Sequence, residues 1–169
     1  MIEESDLSFV KEIRLDETTS CQLGTFLFTN DYCQRKWFEQ ISSKTDMMFL
    51  IFEKQNLGNE WESIGYVRLT DIDRINLSVC IGADVHMSFR GKGFGTRIYE
   101  LVFKLCFNNW NMNRLWLLVI DYNETALALY KKVGFTEEGA QRQAIYRNGL
   151  YHNYVMMSLL KEEYTQWAK

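Results

Sequence analysis

Apolar residues between positions 47 and 85 form short runs separated by polar turns. Met47–Phe52 is the first run, and Ser63–Leu69 resumes it after the turn-rich segment Asn56–Asn59. Two apolar runs joined by such a turn predict a β-hairpin. Asn76–Val85 follows the polar residues 71–74 and predicts a third strand. The pattern therefore predicts an antiparallel meander.

The pattern on either side of the meander changes. Upstream, Lys11–Leu15 predicts a short first strand, and an apolar helical spacing follows at Trp37, Phe38 and Ile41. Downstream, apolar positions recur at steps of three, one and three, as in an amphipathic helix that lies on a sheet and ends near Asn108–Asn109. These positions are Ile98, Leu101, Val102 and Leu105.

The last third of the chain predicts a strand, a helix and a hairpin. Leu115–Ile120 has no polar alternation, as expected for a central strand covered on both faces. Asn123 is a good N-cap for the next helix, and Gly134 is placed to end that helix in the left-handed conformation. The stripe of this helix is Ala126, Tyr130 and Val133. Two final strands are joined by an Asn-Gly turn: Ala140–Tyr146, Arg147–Gly149 and His152–Leu160.

Composition limits the class of protein. The 169 residues, 47% of them hydrophobic, are enough for one core and predict a single domain over residues 1–169. The acidic amino terminus and the absence of an apolar run of about 18 residues favour a cytoplasmic protein without a membrane partner. A net charge of −3 with dispersed basic residues argues against nucleic acid. Four scattered cysteines and two histidines suggest neither a metal site nor a disulfide framework.

The segment Arg90–Thr96 is a glycine-rich turn between a predicted strand and a predicted helix. Backbone N–H groups at a helix start converge on one point, with the positive end of the helix dipole behind them, so such a turn binds anions. Gly91, Gly93 and Gly95 let a phosphate approach the backbone. The spacing fits neither a P-loop, nor a dinucleotide-binding loop, nor a kinase loop. A turn that merely joins a strand to a helix remains the alternative.

Two blocks of residues resemble the GNAT acetyltransferases. The family signature Arg/Gln-x-x-Gly-x-Gly/Ala is met by Arg90, Gly93 and Gly95. The second family block, Asn-x-x-Ala-x-x-Leu-Tyr-x-Lys-x-Gly-Phe, is matched at every defined position by Asn123–Phe135. The tail is similar to the branch of ribosomal-protein, polyamine and amino-sugar acetyltransferases. The resemblance covers about residues 60–165.

The resemblance implies a fold and a co-substrate. The fold is α/β (α+β), a mixed, mostly antiparallel twisted sheet with helices on both faces and a splayed central strand pair, here Asn76–Val85 and Arg114–Ile120. Acetyl-CoA lies in the gap of that pair, without a metal. The implied acetyl-CoA contacts are Ala83, Asp84, Val85, Arg90, Gly91, Lys92, Gly93, Phe94, Gly95, Thr96, Asn123 and Tyr130.

Acetyl transfer to an amine requires a neutral amine, stabilisation of the developing oxyanion and a proton for the departing thiolate. The resemblance makes Tyr130 the acid, and a phenol is protonated at pH 7; packing in a helix stripe is its alternative role. Asn123 is explained equally well as a cap or as an acetyl-CoA contact. For the base, Cys80 stands where many relatives carry Glu. Asp84 and His86 are nearby candidates, and deprotonation through water is equally compatible.

The expected activity is transfer of an acetyl group from acetyl-CoA to a primary amine of a small molecule, such as an amino sugar or a polyamine. An acetyltransferase for protein amino termini and a non-catalytic acetyl-CoA-binding domain are the alternatives. The acceptor pocket in this fold is shaped by the first helical region and the final hairpin, so its candidates are Trp37, Phe38, Tyr146, Tyr151 and His152. The sequence does not determine the oligomeric state; relatives often dimerise, so a homodimer is one candidate assembly.

Overall fold

The computed structural model describes residues 1–22 and 30–167, and of 165–167 the backbone alone. The helices are α1 (Leu7–Leu15), α2 (Glu17–Ser20), α3 (Asp31–Ser42), α4 (Phe94–Phe103), α5 (Glu124–Lys132) and α6 (Lys161–Trp167). The strands are β1 (Met48–Gln55), β2 (Trp61–Asp73), β3 (Ser78–Val85), β4 (Arg114–Ile120), β5 (Thr136–Arg147) and β6 (Leu150–Leu160). They form one sheet in the order β1-β2-β3-β4-β6-β5. The predicted order of meander, helix, strand, helix and hairpin is confirmed.

The chain divides into two compact units. Unit 1 consists of residues Met1–Thr70 and Gly82–Ile98, and unit 2 consists of Asp71–Ile81 and Tyr99–Lys169. The glycine-rich turn therefore belongs to unit 1, and the block Asn123–Phe135 belongs to unit 2. The organisation of the whole chain as a single domain stays a prediction.

The first strand predicted from the sequence is wrong, because Lys11–Leu15 lies within the helix α1. Leu7, Val10 and Ile13 are buried at steps of three residues, which is a helical period. Val10 and Ile13 pack in a cluster with Phe49 of β1. The apolar stripe of the helix thus buries against the hairpin, and a five-residue window was too short to reveal the period.

The remaining elements of unit 1 follow the prediction. The helix predicted around Trp37 is α3, which begins where Asn30 accepts a hydrogen bond from the Cys33 N–H. Trp37 packs edge-on against Phe49, with ring centroids 5.2 Å apart. The strands β1 and β2 pair antiparallel from Met48 opposite Leu69 to Gln55 opposite Trp61, so the predicted hairpin is confirmed.

The ladder between β3 and β4 is parallel and short. It joins Ser78–Cys80 to Arg114–Trp116, although β3 continues to Val85 and β4 to Ile120. Such early termination is expected of a splayed pair. The strand β4 also pairs antiparallel with β6 along its whole length.

The core of unit 2 is rich in aromatic residues. Tyr99, Phe103 and Phe107 are buried along α4 and the π-helical turn Lys104–Asn109 that continues it. Leu101, which the sequence placed in the buried stripe, is 47% exposed. The unpredicted large rings occupy the inner face of this helix.

Burial in β4 alternates, which corrects the expectation of a strand covered equally on both faces. Leu115, Leu117 and Val119 are buried, whereas Trp116 and Leu118 are partly exposed. The final hairpin joins β5 to β6 through Asn148 and Gly149, which both have positive φ, as the Asn-Gly turn predicted.

Candidate active site

The glycine-rich turn leads directly into α4, as predicted. Gly91 and Gly93 have φ of +71° and +82°, a conformation that L side chains rarely adopt. Atoms built as Cβ on these two glycines would meet nothing within 4 Å, so space is open beside the backbone. The first N–H groups of a helix have no partner within it, so those at the start of α4 are available to an anion. Gly95 and Thr96 lie in this first turn.

The side chain of Arg90 is held by other residues of unit 1. Its Nη2 donates to Asp16 Oδ2 over 2.9 Å, and its Nε donates to the Val85 carbonyl over 3.0 Å. Thr18 and Thr19 complete the partners of the guanidinium. Although partial burial opposes it, hydrogen bonds from Thr18, Thr19 and Arg90 hold the pKa of Asp16 well below its usual range. The charge of Arg90 is therefore balanced by Asp16, and its contact with acetyl-CoA stays a prediction.

The other residues of the turn are arranged around Phe89. Lys92 Nζ donates to the Ser88 carbonyl over 2.8 Å and lies 5.7 Å from the ring centroid of Phe89. Phe94 packs edge-on against the same ring at 5.9 Å. The ammonium of Lys92 donates to a neutral carbonyl, whereas the guanidinium of Arg90 is paired with a carboxylate. The positive charge of Lys92 is therefore available to an anion.

The end of β3 lies very close to β2 in unit 1. A Cβ built on Gly65 would be 2.5 Å from the Asp84 carbonyl oxygen and 3.2 Å from the Val85 Cα. The His86 N–H donates to the Ile64 carbonyl over 2.9 Å. Gly65 is thus required for the path of Ala83–Val85, the segment that the resemblance assigns to the arm of acetyl-CoA.

Asp84 is part of a half-buried charged cluster. Its Oδ2 lies 3.2 Å from Nη2 of Arg68, and the Asp84 side chain is 15% exposed. Burial and then the Asp84 charge raise the pKa of Tyr66, so its phenol stays protonated. Burial lowers the pKa of Arg14, whose Cζ lies 4.7 Å from the centroid of the Trp37 ring. The carboxylate of Asp84 is therefore used by Arg68, which argues against a free general base at this position.

His86 also has partners. Its Nε2 lies 3.1 Å from Glu12 Oε1, and its Nδ1 accepts from the Ser88 N–H over 3.3 Å. The ring stacks on Phe9 with centroids 5.7 Å apart. Both ring nitrogens are occupied, so His86 is a poor candidate for the proton acceptor.

In unit 2, Asn123 begins α5 as predicted. Its Oδ1 accepts from the Ala126 N–H over 3.1 Å. Gly134 ends the helix region with φ of +100°. The side chain of Asn123 therefore has a structural role, and its contact with acetyl-CoA stays a prediction.

Tyr130 lies on α5 among aromatic rings. It packs edge-on against Tyr99 at 5.6 Å and is tilted against Phe135 at 5.9 Å. The side chain is partly exposed, so one side of the ring is accessible. Aromatic packing therefore fixes the ring of Tyr130, and its role as the acid stays a prediction.

The structure separates the candidates for the acceptor pocket. Trp37 is packed on Phe49 and Arg14 in unit 1. Tyr146 and Tyr151 are more than half exposed, and their rings are tilted against each other with centroids 5.0 Å apart near the tip of the final hairpin.

The sequence did not predict three contacts of the candidate residues: the ion pairs Arg90–Asp16 and Arg68–Asp84, and the approach of His152 to Asp121. Asp16 could have been found as an N-cap, since its carboxylate accepts from the Thr19 N–H. Its pairing with a residue 74 positions away leaves no local signal. No group of three or more His, Cys, Asp or Glu in the described ranges could hold a metal ion. Within the same ranges, no helix is long and apolar enough to span a membrane.

These observations define a class of protein: a mixed α/β sheet protein with a glycine-rich turn between a strand and a helix, and a tyrosine on the helix that follows the next strand. Residues 10–135 match the model of the acetyltransferase (GNAT) family. Because the match covers more than half of the chain, the chain belongs to the GNAT acetyltransferase family. The match begins well upstream of residue 60, so the family likeness is longer than the sequence blocks indicated.

Two curated relatives share sequence with the chain. YdaF of Bacillus subtilis (strain 168), provisionally named a ribosomal N-acetyltransferase, is 33% identical over 100 residues, which are 59% of this chain and 55% of that protein. The spermidine N(1)-acetyltransferase of Escherichia coli (strain K12) is 30% identical over 103 residues, 61% of this chain and 55% of that enzyme. The matches thus span about half the length of these relatives.

A solved structure shows the same fold along nearly the whole chain. The spermidine N-acetyltransferase from Vibrio cholerae, in complex with CoA and spermine, superposes with a TM-score of 0.88. The match covers 97% of this chain and 95% of that one at 21% sequence identity. The predicted fold class is confirmed.

Proposed function

We propose that the chain transfers an acetyl group from acetyl-CoA to a primary amine of a small molecule, with polyamines as the acceptor class. The anion-binding turn that opens α4 is the observation that carries the proposal. Family membership supports the acetyl-CoA dependence. The polyamine class is favoured by the names of the Escherichia coli and Vibrio cholerae proteins, both spermidine acetyltransferases.

The residues of the turn fit the pyrophosphate of acetyl-CoA. The open space beside Gly91 and Gly93 admits a phosphate to the backbone, and the N–H groups of Phe94, Gly95 and Thr96 supply donors. Lys92 contributes a positive charge. Arg90 acts indirectly, because it holds the end of β3 through the Val85 carbonyl.

When bound, acetyl-CoA supplies the acetyl group as a thioester. Ala83, Asp84 and Val85 offer backbone groups to its arm, and Asn123 and Tyr130 line its far side. Tyr130 would hold the proton that the departing sulfur requires, since a phenol is protonated at neutral pH. Asp84 is paired with Arg68, which supports a structural role for its carboxylate, and its assignment as a catalytic residue stays a prediction.

The decisive experiment is acetylation of an amine panel by the purified protein. Spermidine, glucosamine and a peptide with a free amino terminus are each incubated with acetyl-CoA, and products are measured by mass spectrometry. A thiol reagent is unsuitable because Cys33 is exposed and would react. We expect turnover to be highest with spermidine.

Each other outcome selects an alternative. Preference for the peptide would favour the ribosomal-type activity that the Bacillus subtilis relative suggests by name. Binding of acetyl-CoA without turnover of any amine would identify a non-catalytic binding domain and overturn the proposal.

Localisation and assembly belong to the same proposal. We infer a cytoplasmic enzyme, in keeping with its cytoplasmic co-substrate, and a homodimer. Cell fractionation measures the first, and light scattering of the purified protein measures the second.

A further inference from the structure

The proposed reaction needs a group that removes a proton from the acceptor, because an alkylamine with a pKa of about 10.4 is almost entirely protonated at pH 7. Asp84 is paired with Arg68, and His86 is bonded at both ring nitrogens. Neither is available to an incoming ammonium. The remaining histidine, His152, lies at the start of β6 in unit 2.

His152 is held by an acidic residue at the end of β4. Its Nδ1 lies 3.5 Å from Asp121 Oδ1, a length common before a substrate tightens a site. Asp121 is itself fixed, because its Oδ2 accepts from the Asn153 N–H over 3.0 Å and its own N–H donates to the Asn153 carbonyl. The Tyr122 ring packs edge-on against the imidazole at 4.6 Å. The ring is therefore oriented by Asp121 and Tyr122, and Asp121 is in turn fixed by Asn153.

The other nitrogen of this imidazole is available. In the described part of the chain, His152 Nε2 makes no hydrogen bond, and the side chain is 22% exposed. A carboxylate on one nitrogen keeps the proton there and leaves the opposite nitrogen as an acceptor.

The register of the sheet shows on which face His152 lies. Leu159, an odd-numbered residue of β6, contacts Gly134 just after α5, and the odd-numbered Val155 and Met157 are buried with it. Successive side chains of a strand point to opposite faces, so His152 lies on the face opposite α5. Tyr130 belongs to α5. His152 and the helix that carries Tyr130 therefore lie on opposite faces of the sheet.

We propose that His152, oriented by Asp121, accepts the proton of the acceptor ammonium; the inference rests on the proposed N-acetyltransferase activity. One proton passes from R–NH3⁺ to Nε2, giving a neutral amine and an imidazolium that later releases the proton to water. Amide formation removes a second proton from the nitrogen. This proton replaces the one that Tyr130 donates to the departing sulfur. In total, R–NH3⁺ and acetyl-CoA give the N-acetyl amine, CoA and one proton.

The charged groups that face His152 set the direction of its pH dependence. Asp121 is the acidic neighbour on the β4 side. On the neighbouring strand β5, Ile145 lies opposite His152. Burial raises the pKa of Tyr154, and the positive charge of Arg147 opposes that rise. A proton acceptor must be neutral, so activity that depends on His152 should fall as the pH is lowered.

The chain has two histidines, which makes a matched test available. His152→Asn and His86→Asn are compared with the wild type for kcat/KM against pH from 5.5 to 10.5, with acetyl-CoA affinity and Tm as controls for folding. We expect His152→Asn to lose about 100-fold at pH 7.5 and to lose the acidic limb of its profile. The defect should shrink toward pH 10.5, where about half of the acceptor amine is neutral without help. Asp121→Asn, which removes a positioning residue, should lose about tenfold.

Each result bears on one proposal. An unchanged profile for His152→Asn, or an equal loss at every pH, would overturn the role of His152 and leave the proposed function intact. Loss of the acidic limb in His86→Asn, with the limb retained in His152→Asn, would overturn it in the same way. If His152→Asn is unstable, His152→Gln supplies the same comparison. Absence of turnover by the wild type would overturn the proposed function, and the role of His152 with it.

Discussion

The region around the glycine-rich turn and the region around Tyr130 are stabilised by different forces. In unit 1, Arg90 is paired with Asp16 and Arg68 with Asp84, so charged groups set the positions of the turn and of β3. In unit 2, Tyr130 is held by the rings of Tyr99 and Phe135. The first region depends on directional contacts between residues distant in sequence, and the second depends on close packing.

This difference predicts different responses to substitution. Loss of one member of a half-buried ion pair leaves its partner without a counter-charge, so the effect falls on stability. Removal of one hydroxyl from an aromatic cluster leaves the packing in place, so the effect falls on chemistry. The predictions below separate the two regions on this basis.

The largest effect is expected from Tyr130→Phe. The ring and its packing on Tyr99 and Phe135 are retained, while the proton donor is lost. We expect kcat to fall about 100-fold with little change in acetyl-CoA affinity. Steady-state kinetics and calorimetric titration measure the two quantities. Tyr99→Phe is the matched control, since it deletes a hydroxyl from the adjacent ring. Equal losses of turnover and affinity in Tyr130→Phe would contradict its role as the acid.

Gly65→Ala should be the most destabilising change at the end of β3. Its new methyl group would lie 2.5 Å from a backbone oxygen, which cannot move aside without shifting the strand. We expect a loss of about 2–3 kcal/mol in the free energy of unfolding. Gly82→Ala is the comparison, because its methyl group would lie 2.7 Å from the mobile end of the Arg68 side chain. Urea denaturation should give the smaller loss for Gly82→Ala, and the reverse order would contradict the close approach of the strands.

Asp84→Asn tests whether the Arg68 pair is structural. The side chains are 31% and 15% exposed for Arg68 and Asp84, so we expect a loss of about 1–2 kcal/mol in stability. The double variant Arg68→Met with Asp84→Asn should be more stable than the two single losses predict by addition. A fall in turnover of more than about 100-fold in Asp84→Asn, without a matching loss of stability, would restore Asp84 as a candidate catalytic residue.

Gly93→Ala should produce the smallest effect, and it should fall on binding. Gly93 and Gly149 share a φ of +82° with open space around them, so an alanine at either position strains the backbone equally. Stability should fall by about 1 kcal/mol in both variants. We expect the KM for acetyl-CoA to rise about tenfold in Gly93→Ala alone, because only this Cβ would stand in the anion site. The same rise in Gly149→Ala would show that the effect is not local.

The sequence predicted those parts that depend on neighbouring residues. The turn at Arg90–Thr96, the cap at Asn123 and the positive φ of Gly134 each follow from a short motif. Their family resemblance led to the fold and the co-substrate.

The features that the sequence did not predict depend on contacts between distant residues. Asp16 and Arg90 pair across 74 positions, and the partner of Asp84 is on another strand. The segment Lys11–Leu15, predicted as a strand, is part of a helix. Leu7 and Val10, which complete the helical period with Ile13, lie upstream of that segment. The sequence also does not distinguish the two histidines, because both occur near strand ends. Their hydrogen-bond partners are visible only in the structure.

The pairing of Arg90 with Asp16 has a consequence for engineering. The guanidinium that reaches back to the Val85 carbonyl is held by a short helix encoded in the first twenty residues, so this segment helps to prepare the acetyl-CoA turn without touching the co-substrate. A shortened chain that lacks α2 could retain every residue of the two family motifs and still bind acetyl-CoA weakly. Minimal versions of this protein should therefore be designed around α2 as well as around the motifs.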